Sequence, residues 1–336
     1  MEISLMMPTH GLLFRNEENA FLPAPDRNVD VVEVAQLAER LDYHSLWFSD
    51  HVLMTRTSDS GHPANWSGER AYPGDAYMLD GLVSMGAVAA STSRIRFSPS
   101  VLISPYRHPL HDARQLAAAD VLSGGRLIAG VGAGWMKEEF DALGQPFEAR
   151  GRMLEECVEI YRRSWRDEWV DFDGEFYKFS DVSMNPKPIQ DEVPLVFGAA
   201  TKAGARRAAR WGAGLYLLFL DPYPEPDRYA RLHEELFRQL EAVDRSAEEF
   251  EFSVMVSARP TGADDPESKR TKRKALTGTP EQVLADVAEF AEAGYSRCVV
   301  HLDVQSGTYA EYLELVEAMG ELIPQAREIP VRAPAL

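Results

Sequence analysis

The chain has 336 residues, 45% of them hydrophobic, which is enough to bury a substantial core. Its 53 Asp and Glu against 35 Lys and Arg leave a net charge of −18, which argues against a broad basic footprint for nucleic acid or an anionic membrane. No apolar run approaches the ~20 residues of a membrane-crossing helix; no leader is visible, and Cys157 and Cys298 fit no C-x-x-C spacing, so a soluble, cytoplasmic protein with reduced thiols is expected.

Short apolar runs then alternate with longer amphipathic ones. Residues 3–7 read as a strand, and Val31, Val34, Ala35, Ala38 and Leu41 recur at helical spacing. A strand over 45–48 is followed by a polar loop at 54–77 and a helix over 78–90. The third strand is 95–101; Pro109 starts the next helix at its first turn, and Gly124-Gly125 ends it. Strand four is 126–131, with helix over 150–165. Residues 165–193 break the rhythm: 170–178 alternate around Asp173-Gly174, which signals a hairpin, and three prolines follow. The alternation resumes with strands at 195–197, 215–219, 250–258 and 298–302 and helices at 202–211 and 229–243. Helical stripes close the series: Val283, Leu284, Val287, Phe290 and Ala291, then Tyr312, Leu315, Val316, Met319 and Leu322.

About eight β/α units leave no second core. They predict an α/β fold, a (β/α)₈ TIM barrel with insertions, with a doubly wound open sheet as the alternative. One domain is expected over residues 1–325, with insertions at about 54–77 and 165–193 and a frayed tail over 326–336 that holds Pro330 and Pro334.

Barrel chemistry gathers at the C-terminal ends of strands. His10 follows the first strand; Asp50 and His51 follow the second. A histidine beside a carboxylate can act as acid or base near neutral pH, or the two can be a solvated loop pair. His108, His111 and Asp112 match no zinc spacing, so no metal is expected; packing at a helix start accounts for His108. The run Gly130-Val131-Gly132-Ala133-Gly134-Trp135 lacks the third glycine of G-x-G-x-x-G. Its glycines would let something flat approach the backbone, with Trp135 either walling a pocket or filling core. Gly198-Ala199-Ala200-Thr201 opens a helix, where exposed N–H groups and the helix dipole can bind a phosphate and Thr201 can serve as N-cap. Nothing matches G-x-S-x-G, H-E-x-x-H or the P-loop, which removes support for a serine hydrolase, a zinc protease or a P-loop enzyme.

Several phrases together resemble the luciferase-like monooxygenase superfamily, and within it the deazaflavin (coenzyme F420)-dependent branch. They are Leu46-Trp47-Phe48-Ser49-Asp50-His51-Val52, Thr92-Ser93-Arg94-Ile95-Arg96-Phe97, Arg107-His108-Pro109 and Leu122-Ser123-Gly124-Gly125-Arg126. The glycine run ending at Trp135 belongs with them, as do Glu138-Glu139-Phe140-Asp141-Ala142-Leu143-Gly144, Ala208-Ala209-Arg210-Trp211-Gly212 and Gly278-Thr279-Pro280-Glu281-Gln282-Val283. They fall in order over about residues 2–323.

The resemblance implies a barrel with an isoalloxazine-like ring in its mouth, backed by a bulge at a non-prolyl cis bond that maps to Ser100-Val101. Asp50 would contact the ring and His51 would be the acid–base group. Ala133 and Gly134 would lie along the cofactor, with its phosphate near Gly198, Ala199, Ala200 and Thr201. His10, Trp66 and Trp135 would shape the substrate pocket. Trp135 stands where the sugar-phosphate dehydrogenases of this branch carry Glu, which counts against that substrate. Ala133 stands where luciferase carries a basic residue, which favours F420 over FMN. The implied reaction is hydride transfer to or from a small organic substrate. The alternatives are an FMNH₂-dependent monooxygenase served by a partner reductase, and a non-catalytic cofactor carrier. A homodimer is expected by resemblance.

Overall fold

The computed structural model describes residues 1–9, 13–15, 21–23, 29–61, 74–199, 201–219, 226–248, 250–261, 275–305 and 307–332. Its main sheet is built from β1 (Glu2–Met6), β2 (Ser45–Phe48), β3 (Arg96–Pro99), β4 (Leu102–Ile103), β5 (Ala129–Gly132), β6 (Leu195–Gly198), β7 (Gly214–Phe219), β8 (Glu251–Pro260) and β9 (Arg297–Leu302). All pair in parallel, in the order β3-β2-β1-β9-β8-β7-β6-β5-β4. β3 and β4 are the two parts of one stave. β3 pairs with β2 and β4 with β5, and a bridge between Phe97 and Leu127 brings the ends of the sheet together. The expected eight-stave barrel is the fold observed.

The helices are α1 (Val31–Arg40), α2 (Gly81–Ser91), α3 (Pro109–Ser123), α4 (Lys137–Ala142), α5 (Arg150–Arg166), α6 (Lys202–Trp211), α7 (Pro226–Ala242), α8 (Pro280–Glu292), α9 (Tyr309–Gly320) and α10 (Ile323–Glu328). Two apolar clusters follow the two-residue period of the staves. Leu46, Phe48, Val254, Val256 and Val300 pack outward with the helices. Met6, Trp47, Tyr216, Met255 and Val299 fill the barrel. Buried Arg126, which ends the Ser-Gly-Gly-Arg phrase, clamps the outer layer. It donates to the carbonyls of Ser123 (2.7 Å), Ile95 (2.7 Å), Ala89 (2.8 Å) and Thr92 (3.0 Å), tying α2 and α3 to the start of β3.

Three elements depart from the sequence reading. The third strand, read as 95–101, stops at Pro99, and the Ser100-Val101 peptide bond beyond it is cis, where the resemblance maps it. The insertion does carry a hairpin, Val170–Asp173 against Lys178–Val182, but its turn centres beyond Gly174, on Glu175 and Phe176, where the Gly174 amide donates to Tyr177 O at 3.0 Å. The Glu156 carboxylate of α5 also collects the N–H groups of Glu175, Phe176 and Tyr177 there. Finally, α10 runs across residue 325 with Ile323 and Ala326 buried, and the Arg332 amide donates to Ala291 O at 3.0 Å. The chain up to 332 is therefore tied to the barrel.

Candidate active site

The ends of β2, β3 and β5 meet at the barrel mouth. The Ser100 amide donates to Phe48 O at 2.6 Å, so the cis bond sits against the end of β2. The Ser100 hydroxyl lies 2.9 Å from the Tyr216 hydroxyl, and the Tyr216 ring stacks on Trp47 with centroids 4.6 Å apart. Val101 projects between β5 and β6. A Cβ on Gly132 would lie 2.5 Å from Val101 Cγ2, and one on Gly198 2.8 Å from Val101 Cγ1. A Cβ on Gly130 would strike Pro99 O, and one on Gly134, where φ is +85°, would strike Ile103 and Phe140. This corrects the reading of the glycine run. What approaches its backbone is the chain's own bulge.

Asp50 anchors that bulge. Its Oδ2 accepts from the Ile103 amide at 2.8 Å and from Arg107 Nη1 at 2.8 Å, and its Oδ1 accepts from Arg107 Nη2 at 2.5 Å. Both side chains are largely buried, and although burial works against its charge, the bonds from Asp50 hold the Arg107 guanidinium above its ordinary pKa.

His51 is held by a second carboxylate. Its Nδ1 lies 2.9 Å from Oε2 of the fully buried Glu139 of α4. The Tyr106 hydroxyl donates to the same oxygen at 2.7 Å, and Glu139 Oε1 accepts from the amides of Val52 (2.6 Å) and Leu53 (3.1 Å). Burial alone would raise the Glu139 carboxyl; the bonds from His51, Tyr106 and Leu53 outweigh it and keep the pKa below the ordinary value. Trp135 meets the His51 ring edge-on at 5.9 Å. Next along α4, Glu138 accepts from the amides of Asp59 (2.6 Å) and Ser60 (3.1 Å), so adjacent carboxylates pin the loop that leaves β2.

The structure thus brings together His51 and Trp135, and separately Asp50, Ser100, Val101 and Gly198. Ala133 and Gly134 lead from β5 toward α4, with Gly134 O accepting from Arg150 Nε at 3.2 Å. The Ala199 amide donates to Tyr216 O at 3.2 Å, and Thr201 caps α6 by accepting from the Gly204 amide at 3.1 Å. His10, Trp66 and Ala200 lie outside the described residues. Sequence reasoning quoted Arg107 and Glu139 inside motifs without giving them roles. Their partners lie 57 and 88 residues away, a separation that no local pattern reveals. His108 caps α3, its Nδ1 accepting from the Leu110 amide at 3.3 Å. Among the described residues no group of three or more His, Cys, Asp and Glu could hold a metal ion, and no helix is long and apolar enough to cross a membrane.

The model of the luciferase-like monooxygenase family matches residues 1–277. The chain belongs to this family. It is 36% identical over 188 residues to an uncharacterised protein of Mycobacterium tuberculosis, a match covering 55% of this chain and 65% of that protein. It is 33% identical over 189 residues to the F420-dependent glucose-6-phosphate dehydrogenase of Amycolatopsis mediterranei, covering 55% of this chain and 52% of that one. It is 35% identical over 127 residues to the FMNH₂-dependent dimethylsulfone monooxygenase of Pseudomonas putida, covering 37% and 34%. The chain thus spans less than two thirds of the length of these curated relatives. The fold is shared with the monooxygenase RslO1 of Streptomyces bottropensis, at a TM-score of 0.78 and 21% identity over 97% of this chain and 100% of that one.

Proposed function

We propose that this luciferase-like protein uses coenzyme F420 for hydride transfer to or from a small organic substrate. The observation that carries the reading is the pairing of His51 with the buried Glu139, beside a bulge at the mouth of the barrel. The residues present fit such a cofactor. Val101 forms an apolar prop on the bulge, half-exposed Gly198 and Ala199 leave the end of β6 open, and α6 begins there with its N–H groups and a threonine cap. When bound, the deazaflavin supplies two-electron chemistry at its ring. The protein supplies position and a proton path: His51 moves the proton, Glu139 fixes the imidazole and balances its charge, and Asp50 holds the bulge through Ile103. Trp135 beside His51 supports a substrate pocket at this place, with His10 and Trp66 as further members.

Ala133 supports F420 over FMN, as does the Amycolatopsis relative. The second reading, an FMNH₂-dependent monooxygenase with a partner reductase, is favoured by the Pseudomonas relative. A non-catalytic carrier would bind cofactor and turn nothing over. We also propose a homodimer, supported by Val83 and Leu122, which are 73% and 66% exposed on the adjoining helices α2 and α3. A cytoplasmic location goes with the proposal.

The deciding test is a titration of the apo-protein with F420 and with FMN, each oxidised and reduced, followed by tryptophan fluorescence. Tight binding of F420 alone is expected. Preference for reduced FMN would overturn the choice of cofactor, and binding of neither would remove the site.

A further inference from the structure

Behind the mouth lies a buried acid that the proposed chemistry does not use. Asp112, in the first turn of α3, has no exposed surface. Its Oδ2 accepts from the Tyr161 hydroxyl of α5 at 3.0 Å, and its Oδ1 has no hydrogen-bond partner among the described residues. The surroundings on α5 and the hairpin are Cys157, whose thiol lies 3.7 Å from both Ser104 O and the Tyr177 hydroxyl.

The charged groups acting on Asp112 are Arg107 and Asp50. Asp80, the cap of α2, acts in turn on Arg107. Glu156 acts on Cys157 and Tyr177, and both of these, with Tyr161, feel Asp112. His111 acts on His108 at the start of α3.

Two buried carboxyls therefore act on one guanidinium: Asp50 bonds it directly, and Asp112 stands five residues along the chain from it, in the first turn of α3. Asp50 accepts three charge-assisted or backbone bonds, whereas Asp112 has a single neutral donor. Where water is excluded, two like charges beside one cation are costly, and the carboxyl with the poorer donor set keeps its proton.

We propose that Asp112 is a positioning residue: while it holds a proton, Arg107 stays committed to Asp50, and Asp50 to the Ile103 amide beside the Ser100-Val101 bulge. Ionised Asp112 competes for the same guanidinium and loosens that hold. Burial, opposed by Arg107 and Tyr161, pushes the Asp112 carboxyl up to about 7, so the change falls within the neutral range. The inference rests on the reading of the bulge as the support of a bound ring.

The experiment measures F420 affinity from about pH 5.5 to about pH 8.5 for the wild type and for Asp112→Asn, which is neutral at every pH. Wild-type affinity is expected to fall roughly fivefold or more as pH rises through neutrality, and the variant is expected to lack that fall. An unchanged pH profile in the variant overturns the proposal. In parallel, infrared spectra of the apo-proteins should show a protonated carboxyl band that wild type loses above neutral pH and that the variant lacks at pH 6, roughly one unit below the transition. Absence of that band in wild type also overturns the proposal. If Asp112→Asn does not fold, Tyr161→Phe removes the one donor to the ionised acid and should move the transition to higher pH; an unmoved transition counts against the proposal. If F420 and FMN fail to bind at any pH, the cofactor reading fails, and the infrared comparison still decides Asp112.

Discussion

His44 enters β2 at the N-terminal end of the barrel and His51 leaves the same stave at the mouth, and their surroundings are opposite in charge. His44 Nε2 lies 3.4 Å from Arg297 Nη2, and its Nδ1 3.2 Å from the Ser45 hydroxyl. Burial, then the charges of Arg297, Arg96 and Arg327, lower its pKa to about 3. That imidazole is a neutral part of the scaffold. His51 instead faces the buried carboxylate of Glu139, 2.9 Å from its Nδ1. Two histidines flanking one stave thus differ in setting: one is buried among guanidiniums and stays neutral, and the other is oriented by a buried carboxylate at the mouth.

The contrast can be broken most strongly at the mouth. His51→Ala should lower turnover by about 10²–10⁴-fold while cofactor affinity stays near wild type. Steady-state kinetics beside a binding titration check this, and unimpaired turnover would remove the acid–base role. Asp50→Asn strips the partner from buried Arg107 and should cost about 3–5 kcal/mol of stability, read from urea unfolding. A cost near zero would mean that Arg107 finds another partner. Gly132→Ala drives a methyl against Val101 and should cost about 1–3 kcal/mol and weaken cofactor binding; shortening Val101 in the same chain should restore both.

The least effect on turnover belongs to His44→Gln, which should leave kcat unchanged and alter acid stability instead. The folded pKa of His44 is depressed to about 3 from the ordinary value of 6.5. The unfolded chain therefore takes up the proton first, and the stability contributed by neutral His44 is lost as pH falls from the unfolded value toward the folded one. The variant should lose less stability than wild type over that acid range. Equal acid sensitivity of the two proteins would mean that another group governs it.

The barrel was legible because staves and helix faces are written in neighbouring residues. The ends of staves then pointed to Asp50 and His51, and the family resemblance to Ser100 and Val101. Their supports were not legible. Glu139, Tyr106 and Arg107 act across 33 to 88 residues of chain, and nothing beside His51 in sequence announces a carboxylate on α4. The hairpin shows the same limit on a smaller scale. Asp173-Gly174 signalled a turn, but Glu156, 19 residues upstream of Glu175, set its shape. The glycine run was seen and misassigned, because the atoms that fill its space belong to another stave.

The loop leaving β2 carries one more lesson. Glu139 fastens it at Val52 and Leu53, Glu138 fastens it at Asp59 and Ser60, and Gly74 returns so close that a Cβ there would lie 2.9 Å from Thr55 O. Thr55 and Gly74 thus already lie together, so changing the number of residues between them carries little added closure entropy. Insertions or deletions there should therefore leave the tethers at Val52 and Leu53, and with them the His51 ring, in place.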